Sequence, residues 1–120
     1  MIASAEGENL DVGSPRLSTA VKRDGDRWVV TASGDIDLDT SPLLVQQIMG
    51  LLDRPGVVEL RMADVGFVDS IGVRALLRLH EAAVAARSTL VLVRPSPYVT
   101  RVLGVLGLAD TFHVDVEPTT

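Results

Sequence analysis

Gly66-Phe67-Val68-Asp69-Ser70-Ile71-Gly72-Val73 (GFVDSIGV) lies between an apolar run, Val57 to Met62, and a long run of helical periodicity that starts near Ile71. An acid, a small hydroxyl and a glycine between such runs mark a strand-to-helix turn. The ordinary use of Ser70 there is as an N-cap, its hydroxyl accepting a first-turn N–H. A serine at a surface turn is also open to a kinase, and the two uses are compatible. Phosphate would add about −1.5 to −2 charges. Free N–H groups and the macrodipole at a helix start favour that anion, and Arg74, one turn on, adds to them, while Asp69 opposes it.

Residues 71–86, set at about 100° per residue, separate into two sides. Arg74, Arg78, Glu81 and Ala85 form a narrow polar stripe. Val73, Leu76, Leu77, Leu79, Ala83 and Val84 fill most of the rest. Ile71, Ala75 and Ala82 border the stripe. Ile71, Ala75, Arg74 and Arg78 together read as a docking patch.

Working outward, Leu17, Thr19 and Val21 alternate with Ser18, Ala20 and Lys22 as in a strand. Asp24-Gly25 suits a tight hairpin turn, and Trp28 to Ala32 is the returning strand. Gly34-Asp35-Ile36-Asp37 reads as a loop. Thr40 or Ser41 caps a helix with Pro42 in its first turn, and apolar spacing carries it to Arg54, before Pro55-Gly56. Val57 to Met62 is a third strand. Leu90 to Val93 is a short, continuous apolar strand, the pattern of one covered on both faces. Ser96-Pro97 opens a last helix, which Gly104 and Gly107 weaken or end. Phe112, Val114 and Val116 close the sheet. The order predicts an α/β domain. Its sheet is mixed and mostly parallel, opening on an antiparallel hairpin, with helices after the second, third and fourth strands and right-handed crossovers. The expected domain covers residues 16–117, between a flexible tail (1–15) and a frayed end (118–120).

The totals narrow the function. A chain of 120 residues suits one domain. With 47% hydrophobic residues but 3% aromatic, the core must be aliphatic. A net charge of −5 argues against general affinity for nucleic acid or anionic membrane. The absence of cysteine removes thiol catalysis, disulfides and thiolate-bound metals. Without a secretory leader or an apolar run of about 20 residues, the expected setting is cytoplasmic.

Enzyme readings are weak. The turn is not Gly-x-Ser-x-Gly. His80 and His113, mid-helix and on a terminal strand, are placed as structural residues and not as a base for Ser70. There is no phosphate-binding loop. Asp35, Asp37 and Asp39 alternate in one loop, but lack the frame of a calcium site. No catalytic or metal residue is assigned.

Three segments resemble the STAS domain of bacterial anti-sigma factor antagonists. Asp69-Ser70-Ile71-Gly72, after Val65 to Val68, resembles that family's phosphorylation motif. Gly34-Asp35-Ile36-Asp37 is similar to its acidic loop after the second strand. Ser96 to Leu103, with Gly107-Leu108 and Phe112, is similar to its last helix and strand. The resemblance implies an antagonist that binds a serine-kinase anti-sigma factor and frees the sigma factor. The kinase would switch the antagonist off at Ser70 and a phosphatase would restore it. ATP would belong to the kinase, and this chain would need no cofactor. Asp37, Asp69 and Gly72 would neighbour the phosphosite, while Asp35, Ile71, Arg74, Ala75 and Arg78 would meet the partner. Ile71 departs from the family, which often has a second hydroxyl there. The alternative is a STAS scaffold or regulatory module of a transporter or stressosome-like assembly that does not switch.

Overall fold

The computed structural model describes residues 16–52 and 55–116; the two expected terminal segments, 1–15 and 118–120, lie outside the described residues, as do residue 117 of the expected domain and the expected helix end at 53–54. Eight elements follow one another: β1 (Leu17–Asp24), β2 (Arg27–Ile36), α1 (Ser41–Met49), β3 (Gly56–Val68), α2 (Ser70–Ala85), β4 (Ser88–Val93), α3 (Pro97–Val105) and β5 (His113–Asp115). The five strands form one sheet in chain order. β1 pairs antiparallel with β2, and every later pairing is parallel. The expected α/β architecture, hairpin and helix placement are all present.

Gly25, with φ of +66°, makes the hairpin turn. Alternation along the strands sends one set of side chains inward. Val30, Ile36, Leu60, Met62, Leu90 and Leu92 are fully buried there. Leu44 and Ile48 of α1 and Leu76 and Leu79 of α2 complete the core. α1 packs beside α2, and α2 rests on β3 and β4.

Two strands outrun the sequence expectation. Gly34, Asp35 and Ile36 belong to β2 and not to a loop; Asp37 is the first loop residue. β3 continues through Gly66 and Phe67 to Val68. Bulges account for both. Arg27 pairs with Val57 but Ile36 with Val68, so β3 takes up two extra residues at shifts after Thr31 and Gly34. Each bulge bends and re-aims the strand. Burial in β3 accordingly leaves period two and falls on Met62, Val65 and Val68. The Ser96 hydroxyl donates to the Val65 carbonyl, and Ser96 N–H donates to the Met62 carbonyl at 3.1 Å, which anchors α3 at this bulged segment.

α1 is shorter than expected. It ends at Met49, with Gly50 as C-cap. Leu52 is buried beyond that end, so its apolar spacing serves packing and not helix.

The sheet edge that carries the site depends on Gly34. Its φ is +116°, and a Cβ there would lie 2.0 Å from the Arg16 carbonyl oxygen. The side chain would force β1 away from β2. Gly34→Ala is expected to destabilise the domain by roughly 2 kcal/mol or more, read as a lowered urea midpoint. An unchanged midpoint would refute this packing.

Candidate functional site

The parallel strands β2 and β3 end side by side, with Ile36 opposite Val68. Their following loops therefore meet at one edge of the sheet. One carries Asp37, Leu38, Asp39 and Thr40; the other carries Asp69 and Ser70.

Asp69, half-buried, joins them. One carboxylate oxygen accepts the Gly72 N–H at 2.8 Å, capping α2. The other accepts the Leu38 N–H at 3.2 Å. Asp69 N–H also donates to the Ile36 carbonyl at 3.2 Å. Gly72 is buried where α2 crosses that carbonyl, and a Cβ on it would lie 2.2 Å from the oxygen. The glycine thus permits the approach that the aspartate secures.

Capping differs from the sequence expectation. Asp69 is the N-cap of α2, and Ser70 is the first helical residue. An aspartate caps as well as a serine, so the hydroxyl is released from that task. Ser70 is exposed, and its side chain makes no hydrogen bond among the described residues.

Asp37 is buried at the foot of the neighbouring loop. One of its carboxylate oxygens accepts the Asp39 N–H at 2.9 Å and the Thr40 N–H at 3.0 Å. The other faces the Arg16 guanidinium, which also reaches Asp39 at 2.8 Å. Thr40 is the N-cap residue of α1, yet its side chain does not cap. Its hydroxyl accepts the Asp37 N–H at 2.9 Å and lies 2.8 Å from the Asp35 carbonyl, to which it donates. Desolvation works against the charged carboxylate of Asp37. The Thr40 and Asp39 amides, Arg16 and the Thr40 hydroxyl outweigh it and hold the carboxyl below its usual range.

Two grooves flank the turn. The larger, about 590 Å³, runs between α1 and α2 and is lined by Leu38, Val45, Ile71, Arg74, Ala75 and Arg78, among others. The smaller, about 300 Å³, lies between the start of α2 and α3, where Asp69 and Ser70 face Arg101, Val102, Val105 and Leu106. Leu38, Val105 and Leu106 are 64%, 79% and 52% exposed, large values for apolar side chains.

Most residues named from the sequence therefore gather at one edge. Asp37, Asp69, Ser70 and Gly72 form the turn. Ile71, Arg74 and Arg78 are exposed beside it. Asp35 is only partly exposed and contributes mainly backbone, its N–H donating to the Arg16 carbonyl at 2.7 Å. Ala75 is corrected: it is 5% exposed, because α1 packs across it, and can only floor the groove. Val84, placed on the apolar arc, is 63% exposed. His80 is ten residues along α2 from Ser70, about 15 Å of helix, and its ring lies against Phe112 and His113. Arg16, Leu38 and Arg101 were not singled out by sequence, and Thr40 was read only as a helix cap. Leu38, an apolar residue between two acids, carried a signal; Arg16 and Arg101 depend on neighbours distant in sequence.

A family model described as the Mlab, STAS domain matches residues 19–116. The chain belongs to the STAS domain family. Its structure is similar to that of an anti-sigma factor antagonist from Mycobacterium paratuberculosis, with 28% identity, a TM-score of 0.75, and coverage of 90% of this chain and 92% of that one. It also resembles the anti-sigma factor antagonist SpoIIAA in its unphosphorylated form, at 19% identity and a TM-score of 0.67, covering 83% and 90%. A STAS domain protein from Planctomyces limnophilus is similar at 15% identity and a TM-score of 0.72, covering 83% and 91%. The last two likenesses are of fold. No curated protein matches the chain. Among the described residues, no helix is long and apolar enough to cross a membrane.

The depressed Asp37 carboxyl sets a pH dependence. Its folded-state pKa is lowered, so its contribution is present above the ordinary carboxylate pKa and is lost as pH falls through the folded value. Asp37→Asn is expected to be less stable than the unsubstituted chain at pH 7. The gap should narrow as pH drops below about 4, as seen in urea unfolding across pH. A gap that stays constant with pH would contradict the charge-based role.

Proposed function

We propose that this chain is an anti-sigma factor antagonist that binds a serine-kinase anti-sigma factor through the edge built around Ser70. Binding releases the sigma factor, and phosphorylation of Ser70 by the kinase ends the complex. A phosphatase resets it. ATP sits on the kinase, and this chain is substrate and ligand. The observation that carries the reading is the exposed Ser70 hydroxyl, left unbonded because Asp69 caps the helix in its place. The likeness to the Mycobacterium paratuberculosis antagonist along nine-tenths of the chain supports it.

The energetics suit a switch. Leu38 and Ile71 beside the turn offer apolar area to a partner. An added dianion must be desolvated in the same contact, at a cost of several kcal/mol. The helix start tolerates the phosphate, so the modification alters docking without unfolding the domain.

A second reading is a STAS scaffold without a phosphate switch. The family model that matches is described by Mlab and not as an antagonist, and Ile71 stands where antagonists often have a second hydroxyl.

Incubation with the cognate kinase and ATP is expected to add one phosphate, seen by intact mass, and Ser70→Ala should add none. Ser70→Asp should weaken partner binding at least about tenfold, or 1.4 kcal/mol. Equal phosphorylation of Ser70→Ala would refute the assignment of the site, and unchanged affinity of Ser70→Asp would favour the scaffold.

A further inference from the structure

The arginine beside Ser70 is not the one that helix spacing suggests. Arg74 follows the serine by one turn, but it lines the larger groove, toward α1, together with Ile71. Ser70 lines the smaller groove, toward α3, and Arg101 lines it from the other wall. The first turn of α2 supplies Ser70 and Val73 to this groove. α3 supplies Arg101 and Val102, and one turn further on Val105 and Leu106.

Arg101 is uncommitted. It is exposed, and its side chain makes no ion pair or hydrogen bond among the described residues. Arg16, by contrast, is engaged by Asp37 and Asp39. The acid that lines the same groove, Asp69, is occupied by the Gly72 and Leu38 N–H groups. The groove therefore sets an unpaired cation on one wall against an unbonded hydroxyl on the other, with apolar side chains between them. A guanidinium matches a phosphate in two parallel hydrogen bonds, and apolar walls strengthen such a pair by excluding water.

We propose that Arg101 is the internal receptor for a phosphate on Ser70: the modified side chain turns into the α2–α3 groove, and its oxygens accept from the Arg101 guanidinium. The inference rests on the reading of Ser70 as a phosphosite and adds where the phosphate goes. Before modification the groove is open, with Val105 and Leu106 exposed. After it, the phosphate and the apolar stem of Arg101 close over the groove and tie the start of α2 to α3. The switched-off chain then differs from the active one along α3 as well as at the serine. Arg101 also offsets the repulsion that Asp69 exerts on the new charge.

Phosphoserine incorporated at position 70 during synthesis requires neither kinase nor partner. The phosphorus resonance of that chain is followed against pH. The second ionisation of an exposed phosphoserine lies near about 6, and a facing guanidinium lowers it by favouring the dianion. Arg101→Gln is expected to raise the midpoint by about 0.5 pH unit or more, roughly threefold in proton affinity. Arg101→Lys should restore part of the difference, and Arg74→Gln should raise the midpoint less than Arg101→Gln does. All these positions are exposed, and a dispersed amide spectrum verifies folding. In the unsubstituted phosphorylated chain the Arg101 Nε–H resonance should move along the same titration. A midpoint that Arg101→Gln leaves in place, or that Arg74→Gln raises as far, would overturn the proposal. So would an Arg101 Nε–H resonance that the phosphate does not move. Failure of the kinase to modify Ser70 counts against the switch, whereas failure of this titration counts against Arg101 alone.

Discussion

The two-sided carboxylate of Asp69 is the interaction on which the site depends. One oxygen closes the first turn of α2 at Gly72, and the other holds the backbone of Leu38. A single side chain thus ties the β3–α2 turn to the β2–α1 loop. Gly72 makes that tie geometrically possible, since any side chain on it would collide with the Ile36 carbonyl. Ser70 sits between these two fixed points. Its position is set by backbone and neighbours, and its own hydroxyl makes no hydrogen bond among the described residues.

This division of labour explains how an exposed hydroxyl can be displayed at no cost to the fold. Orphan N–H groups at a helix start must find acceptors. In α2, Asp69 meets that need. In α1 the need is met differently. Pro42 has no N–H, the Asp37 carbonyl accepts the Ser41 N–H at 2.8 Å, and the Leu43 and Leu44 N–H groups donate to the Thr40 carbonyl at 3.1 and 3.3 Å. Thr40 turns its hydroxyl back to the Asp35 carbonyl, and the Asp37 carboxylate accepts the loop amides. Arg16 then compensates the buried charge. The polar groups of the edge satisfy one another. Its outer side chains, Leu38, Ile71, Val105 and Leu106, remain turned toward solvent.

The fold was largely legible in the residues. Alternation identified the strands, Asp24-Gly25 the hairpin, and Ser96-Pro97 a helix start, where the Ser96 hydroxyl does accept the Val99 N–H. The ends of β2 and β3 were hidden because bulges break the period-two pattern; Met62, Val65 and Val68 are buried at spacings of three. The end of α1 was hidden because Leu51 and Leu52 continue the helical spacing for reasons of packing. At the site, the motif located the turn but could not choose between two adjacent capping residues, both favourable. A helix wheel placed Arg74 and Arg78 correctly. It could not place Ala75, whose burial depends on α1, or Arg101, brought to Ser70 by α3.

The most direct measurement compares Asp69→Ala with Ser70→Ala in urea unfolding, alongside amide exchange at Leu38 and Gly72. If the aspartate alone holds the two loops, Asp69→Ala should lose about 0.5–2 kcal/mol and speed exchange at both amides, while Ser70→Ala leaves stability and exchange unchanged. The opposite ranking, with the serine variant the less stable, would mean that Ser70 is the working cap and that its hydroxyl is not held in reserve.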